Sequence, residues 1–151
     1  MRDFARFLDV HTIVIAADTA AVREQVIAVL DSPEIEIFQA NSAPKAIELV
    51  KEHEPDLVIS DLQMGSMGGI ALCLELRLLA TIDEVFAPSF LLLLDRRADV
   101  FQARRAAANG WVIKPLDPIR LRRATAALLA GDDYDDTSFQ PSPVNVAEIL
   151  A

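Results

Sequence analysis

Asp18, Asp61, Asp95 and Lys114 are the residues best placed to do chemistry. Each lies just beyond a short apolar run: TIVIA at 12–16, LVIS at 57–60, SFLLLL at 89–94 and WVI at 111–113. Three carboxylates and one ammonium at one end of a sheet suit a hard cation such as Mg2+, which takes oxygen ligands and often bridges protein to phosphate. One aspartate at a strand end is most often a turn former. Four charged groups at four such ends point instead to a site. His11 and His53 have no Cys or His partner at ligand spacing and read as solvated surface histidines. Cys73 is the only cysteine, so no intrachain disulfide can form, and it reads as a small buried apolar side chain compatible with a reducing compartment.

The elements that must position these residues follow from the spacing of apolar positions. Thr12–Ala16 reads as a strand, and Val22, Val26, Val29 and Leu30 recur at helical spacing after it. Glu34–Gln39 alternates like a half-buried strand. Ser42 and Pro44 then open a helix that ends near His53. Leu57–Ser60 is a continuous apolar run of the kind found in central parallel strands, whose two faces are both covered by helices. Beyond the loop QMGSMGG, Ile70–Leu79 reads as a helix, Ser89–Leu94 as a buried strand and Ala98–Ala108 as an Ala/Arg-rich helix. Asn109-Gly110 supplies a turn before the brief strand Trp111–Ile113. A last helix runs over Pro118–Ala130, with Gly131 just past its end.

Five βα alternations with short links predict an α/β fold: a flavodoxin-like (βα)5, doubly wound, parallel five-stranded sheet in the order 2-1-3-4-5 with right-handed crossovers. In such sheets the ligand crevice lies at the carboxyl ends of the strands, which is where all four charged residues are expected to converge. The chain divides into an N-terminal extension over 1–11, a domain over 12–130, and an acidic, Pro-containing tail over 131–151.

Composition narrows the function. The 151 residues, 52% hydrophobic, build one domain, and a formal charge of -9 opposes non-specific attraction to nucleic acid or an anionic membrane. The N-terminus has no uninterrupted apolar stretch of signal-peptide type, and no run is long enough to span a bilayer, so a cytoplasmic protein is expected. No Gly-rich phosphate-binding turn follows the first strand, and AADTAA makes a poor flavin phosphate loop. A nucleotide-binding or flavodoxin-like enzyme is therefore the least favoured reading, and no catalytic turnover is expected.

Over about Thr12 to Ala130 the chain resembles the receiver domain of bacterial response regulators. LVISDLQMGSMGG looks like that family's strand-three phosphoacceptor loop and NGWVIKPL like its strand-five Lys-Pro motif. The resemblance implies that Asp61 accepts a phosphoryl group from a histidine kinase or phosphotransfer protein. It implies that Asp18, Asp61 and the backbone carbonyl of Gln63 hold Mg2+, that Lys114 pairs with the carboxylate and then with phosphoryl oxygens, and that Trp111 stands at the rotating aromatic position. It implies a stand-alone module in two-component phosphorelay signalling, acting on a downstream protein target. The face from strand four to helix five would be the partner and homodimer face.

Two departures qualify that expectation. Where the family carries two adjacent acids after strand one, this chain has Ala17 and Asp18, so the metal site is weakened or absent. Where the family has Thr or Ser after strand four, the first polar residue is Asp95. Two unit charges about 4 Å apart at an effective dielectric of about 20 repel by about 4 kcal/mol, so Asp95 opposes a phosphoryl dianion on Asp61 unless a cation intervenes. Asp95 serves as a replacement metal ligand, or stands in for the phosphoryl group; the sequence leaves both open. The alternative function is accordingly a phosphorylation-independent pseudo-receiver, a scaffold that binds its partner constitutively. Arg96, Arg97, Arg104, Arg105, Arg120, Arg122 and Arg123 precede Asp132, Asp133, Asp135 and Asp136. That arrangement fits either a docked tail or a solvated helix face beside a disordered acidic tail.

Overall fold

In a computed structural model that describes residues 10–137, the apolar runs form parallel strands and the amphipathic stretches pack on both sides of them. The elements are β1 (His11–Ala16), α1 (Ala20–Leu30), β2 (Ile35–Ala40), α2 (Ala43–His53), β3 (Leu57–Asp61), α3 (Gly69–Thr81), β4 (Ser89–Leu94), a 3-10 turn (Arg97–Asp99) leading into α4 (Val100–Arg105), β5 (Gly110–Ile113), α5 (Pro118–Leu129) and β6 (Tyr134–Asp135). The first five strands stand in the expected order, β2-β1-β3-β4-β5, all parallel. The order reverses between β1 and β3, which opens the crevice of doubly wound sheets at their carboxyl ends.

Alternation along the strands sorts the core into two layers. Val14, Val58, Phe90, Leu92 and Ile113 face α2, α3 and α4, burying Ala46, Leu72, Leu76 and Ala103. Ile13, Ile59, Leu91, Leu93 and Val112 face α1 and α5, burying Val26, Leu121 and Leu128. Because both faces are covered, the four leucines of β4 are all buried, and strand and helix propensity matter less there than burial. The helices start where local chemistry allows. Ser42 Oγ accepts the Lys45 N–H at 3.3 Å, and Asp117 accepts the Ile119 and Arg120 N–H groups at 2.8 and 3.1 Å, with Pro118 in the first turn of α5.

Three local expectations change. The helix expected over Ala98–Ala108 shortens to α4, because the Asp99 carboxylate accepts the Arg96 N–H at 2.9 Å and fixes a 3-10 turn ahead of it. At its other end, Ala107 takes a left-handed φ of 59°. His53 is not a solvated surface residue: its ring stacks on Phe38 with centroids 3.7 Å apart, which covers an aromatic face on the edge strand β2. The sheet has six strands rather than five, because the beginning of the acidic tail returns beside β5. Gly110 pairs with Tyr134 and Trp111 with Asp135 in a parallel ladder. The N-terminal extension up to residue 9, and the tail beyond residue 137, lie outside the described residues.

Candidate functional site

β3 is buried along its whole length and delivers Asp61 at its carboxyl end, with the side chain 7% exposed. One carboxylate oxygen, Oδ1, accepts from Lys114 Nζ at 2.6 Å and from the Leu62 N–H at 2.9 Å. The Ser60 hydroxyl donates to the Asp61 carbonyl at 2.9 Å. α3 begins tight against this strand end: a Cβ on Gly69 would collide with the Asp61 carbonyl oxygen and the Leu92 side chain, so only glycine permits the approach.

Lys114 follows β5 and reaches across the end of β4. Its Nζ also donates to Asp95 Oδ1 at 3.2 Å, so one ammonium serves two carboxylates. Burial by itself would lower the lysine pKa. The hydrogen bond and charge of Asp61, with those of Asp95, outweigh it and hold the pKa above the ordinary lysine value. Lys114 is thus a fixed positive charge at neutral pH.

Hydrogen bonds join three of the four charged residues. Asp61, Asp95 and Lys114 form one cluster. Asp18 is exposed, and its Oδ2 accepts the Gly65 N–H at 3.2 Å. With Leu62, Gln63, Met64, Gly65 and Gly68 it lines a cleft of about 300 Å3. Asp18 and Gln63 thus share a cleft, whereas Asp61 and Asp95 share a lysine. Ala17 is wholly buried, so an apolar methyl fills the place of a second acid. Among the described residues no three acidic, histidine or cysteine side chains gather at a spacing that could hold a metal ion.

Trp111 lies in β5, 7% exposed, with its ring under the Arg104 guanidinium at 5.5 Å. Its Nε1 donates to Asp135 Oδ1 at 3.0 Å. Asp135 and Asp136 are residues that the sequence reading left in a tail. Of the two readings left open by the upstream arginine cluster, the docked one holds for the described start of that tail. Arg104 bonds the Asp135 carboxylate at 3.2 Å, and Arg120 bonds the Asp136 carboxylate at 2.6 Å.

A doubly wound parallel sheet with a buried aspartate at the end of β3 paired to a lysine after β5 is the arrangement expected of a receiver domain. The family follows: the sequence profile of the response regulator receiver domain matches residues 13–126, and the chain belongs to that family. It is 29% identical over 115 residues to the chemotaxis protein CheY of Bacillus subtilis, covering 76% of this chain and 93% of that protein. It is 32% identical to the oxygen regulatory protein NreC of Staphylococcus haemolyticus, covering 88% of this chain and 61% of that longer protein. The two-component response regulator of the LuxR family from Aurantimonas sp. SI85-9A1 superposes with a TM-score of 0.71 at 29% identity, covering 83% of this chain and 89% of that one. No described helix is long and apolar enough to cross a membrane.

Proposed function

We propose that Asp61 is the phosphoacceptor of this receiver, loaded by a histidine kinase or phosphotransfer protein in the cytoplasm, and that the module signals by contact with a downstream protein. The observation that carries this reading is the buried Asp61 carboxylate held 2.6 Å from Lys114 Nζ at the carboxyl end of the sheet. In the transfer, an Asp61 oxygen forms a bond to phosphorus as the phosphorus–nitrogen bond of the phosphohistidine breaks and the imidazole leaves. Oδ1 is already engaged by Lys114 and the Leu62 N–H, which leaves Oδ2 as the attacking atom. The Lys114 ammonium is placed to neutralise charge on the transferred group, and being already in position it needs no reorganisation when that group arrives.

A second reading rests on a separate observation. Asp95 engages Lys114 at 3.2 Å, so part of the positive charge is already spent before any phosphoryl group arrives. This favours a pseudo-receiver that binds its partner without phosphorylation. Incubation with acetyl phosphate or phosphoramidate, followed by intact mass measurement, separates the two. A phosphoryl adduct that disappears in Asp61→Asn supports the receiver. Absence of any adduct, also with a cognate kinase, leaves the pseudo-receiver.

A further inference from the structure

The outer edge of β5 is built to read an acidic extended chain. Beyond the two-residue ladder with β6, the Tyr134 N–H donates to the Asn109 carbonyl at 3.0 Å, and the Ile113 N–H is taken by the Asp136 carboxylate at 2.8 Å. Three arginines from three elements surround the two aspartates. Arg97, in the 3-10 turn, lies 3.8 Å from the Asp135 carboxylate and donates to the Asp136 carbonyl at 2.8 Å. Arg104 of α4 and Arg120 of α5 pair with the Asp135 and Asp136 side chains respectively. The Trp111 indole N–H donates to Asp135 Oδ1, the oxygen that Arg97 faces, while Arg104 holds Oδ2. Gly110 makes room for the strand, since a Cβ there would approach the Tyr134 carbonyl oxygen to 2.9 Å.

These contacts recognise backbone in strand conformation and two carboxylates, features that any acidic extended segment presents. The segment in place spans only two residues in register, so its release is a local opening rather than global unfolding. We propose that the β5 edge is a docking site for an acidic extended segment of a partner protein, and that Tyr134–Asp136 occupies it as an intramolecular competitor. Displacement by a partner keeps the arginines paired, and the competition sets the partner's threshold concentration. This holds whether or not Asp61 is phosphorylated.

The test uses the full chain and a labelled peptide of residues 131–137, with an Asp→Asn version as control. Asp135→Asn/Asp136→Asn removes the internal competitor and leaves every residue of the site intact. Trp111 is the only tryptophan, so its emission reports the edge directly. The double variant is expected to bind the acidic peptide at least tenfold more tightly than wild type does, with a red-shifted emission that returns on saturation. The control peptide should bind neither protein, and Gly110→Ala should abolish peptide binding in the double variant. Because Asp136 is buried, Asp135→Asn alone serves as the second variant should the double variant not fold; its expected gain is smaller but salt-sensitive. A folded variant that binds the acidic peptide no better than wild type overturns the proposal. A concentration-dependent dimer formed by exchange of this strand overturns the assignment to a foreign partner.

Discussion

Asp95→Asn isolates the charge that most opposes phosphorylation while keeping the side chain's shape. The Asp61 and Asp95 oxygens both touch Lys114 Nζ, at 2.6 and 3.2 Å, so they stand no more than about 5.8 Å apart. At that separation two unit charges repel by about 3 kcal/mol at an effective dielectric of about 20, and by less than about 1 kcal/mol in water. The Asp95 side chain is 39% exposed, which places the effective value at about 1 to 2 kcal/mol. The expected result is about a fivefold to thirtyfold rise in the Asp61 phosphoryl adduct at equilibrium with phosphoramidate, because about 1.4 kcal/mol is tenfold. Intact mass spectrometry reads the adduct, with Asp61→Asn as the zero and Asp95→Glu, which keeps the charge, expected to match wild type. Equal adduct in wild type and Asp95→Asn would refute the repulsion argument. A lower yield in the variant would show that Asp95 assists the transfer instead.

Lys114→Met leaves two carboxylates without their shared cation, and thermal or urea unfolding is expected to show a loss of about 2 to 3 kcal/mol, toward the lower end for breaking a buried pair because the lysine is partly exposed. Gly69→Ala forces a methyl into the Asp61 carbonyl and the Leu92 side chain; a loss of about 2 to 3 kcal/mol is expected in urea, together with less phosphoryl adduct because the strand end must shift. Burial pushes the Cys73 thiol up to about 11, against about 8.5 for an exposed thiol. The folded state therefore keeps its proton longer than the unfolded chain does. Its share of stability is complete below about pH 8.5 and falls by about 3 kcal/mol as pH rises toward 11. Unfolding curves of wild type should show this decline and those of Cys73→Ala should lack it. Lys114 loses its own share only above the ordinary lysine range, because its folded pKa is raised as well.

What the sequence disclosed depended on how local the cause was. β4 matched its expected span, Ser89–Leu94, because a proline precedes it and a charged residue ends it. The pairing of Lys114 with Asp61 was legible because both follow strands that topology brings to the same sheet end. The shortened α4 was not: the Ala/Arg composition favours helix throughout, and only the Asp99 carboxylate's bond to the Arg96 N–H shows where the turn intrudes. The bond between Asp18 and the Gly65 N–H was not legible for a similar reason, since that amide lies in a loop whose path no periodicity encodes. β6 was hidden by composition. The arginines left docking open, but nothing in a run of aspartates marks the two residues that pair with β5 as a strand.

The way the sheet ends also bears on how the protein behaves when crowded with its own kind. A parallel sheet has two flanks of unsatisfied amide and carbonyl groups, and these are templates for runaway self-association. On one flank β2 carries the exposed charge of Glu36. On the other, β6 is too short to propagate a ladder, and the Asp136 side chain, rather than another backbone, closes off the last Ile113 amide. An incoming strand without carboxylates of its own would have to displace a buried carboxylate already paired with Arg120 and leave that arginine unpaired. The acidic stretch thus works as an aggregation guard, and losing the exposed charge of Asp135 is expected to lower solubility.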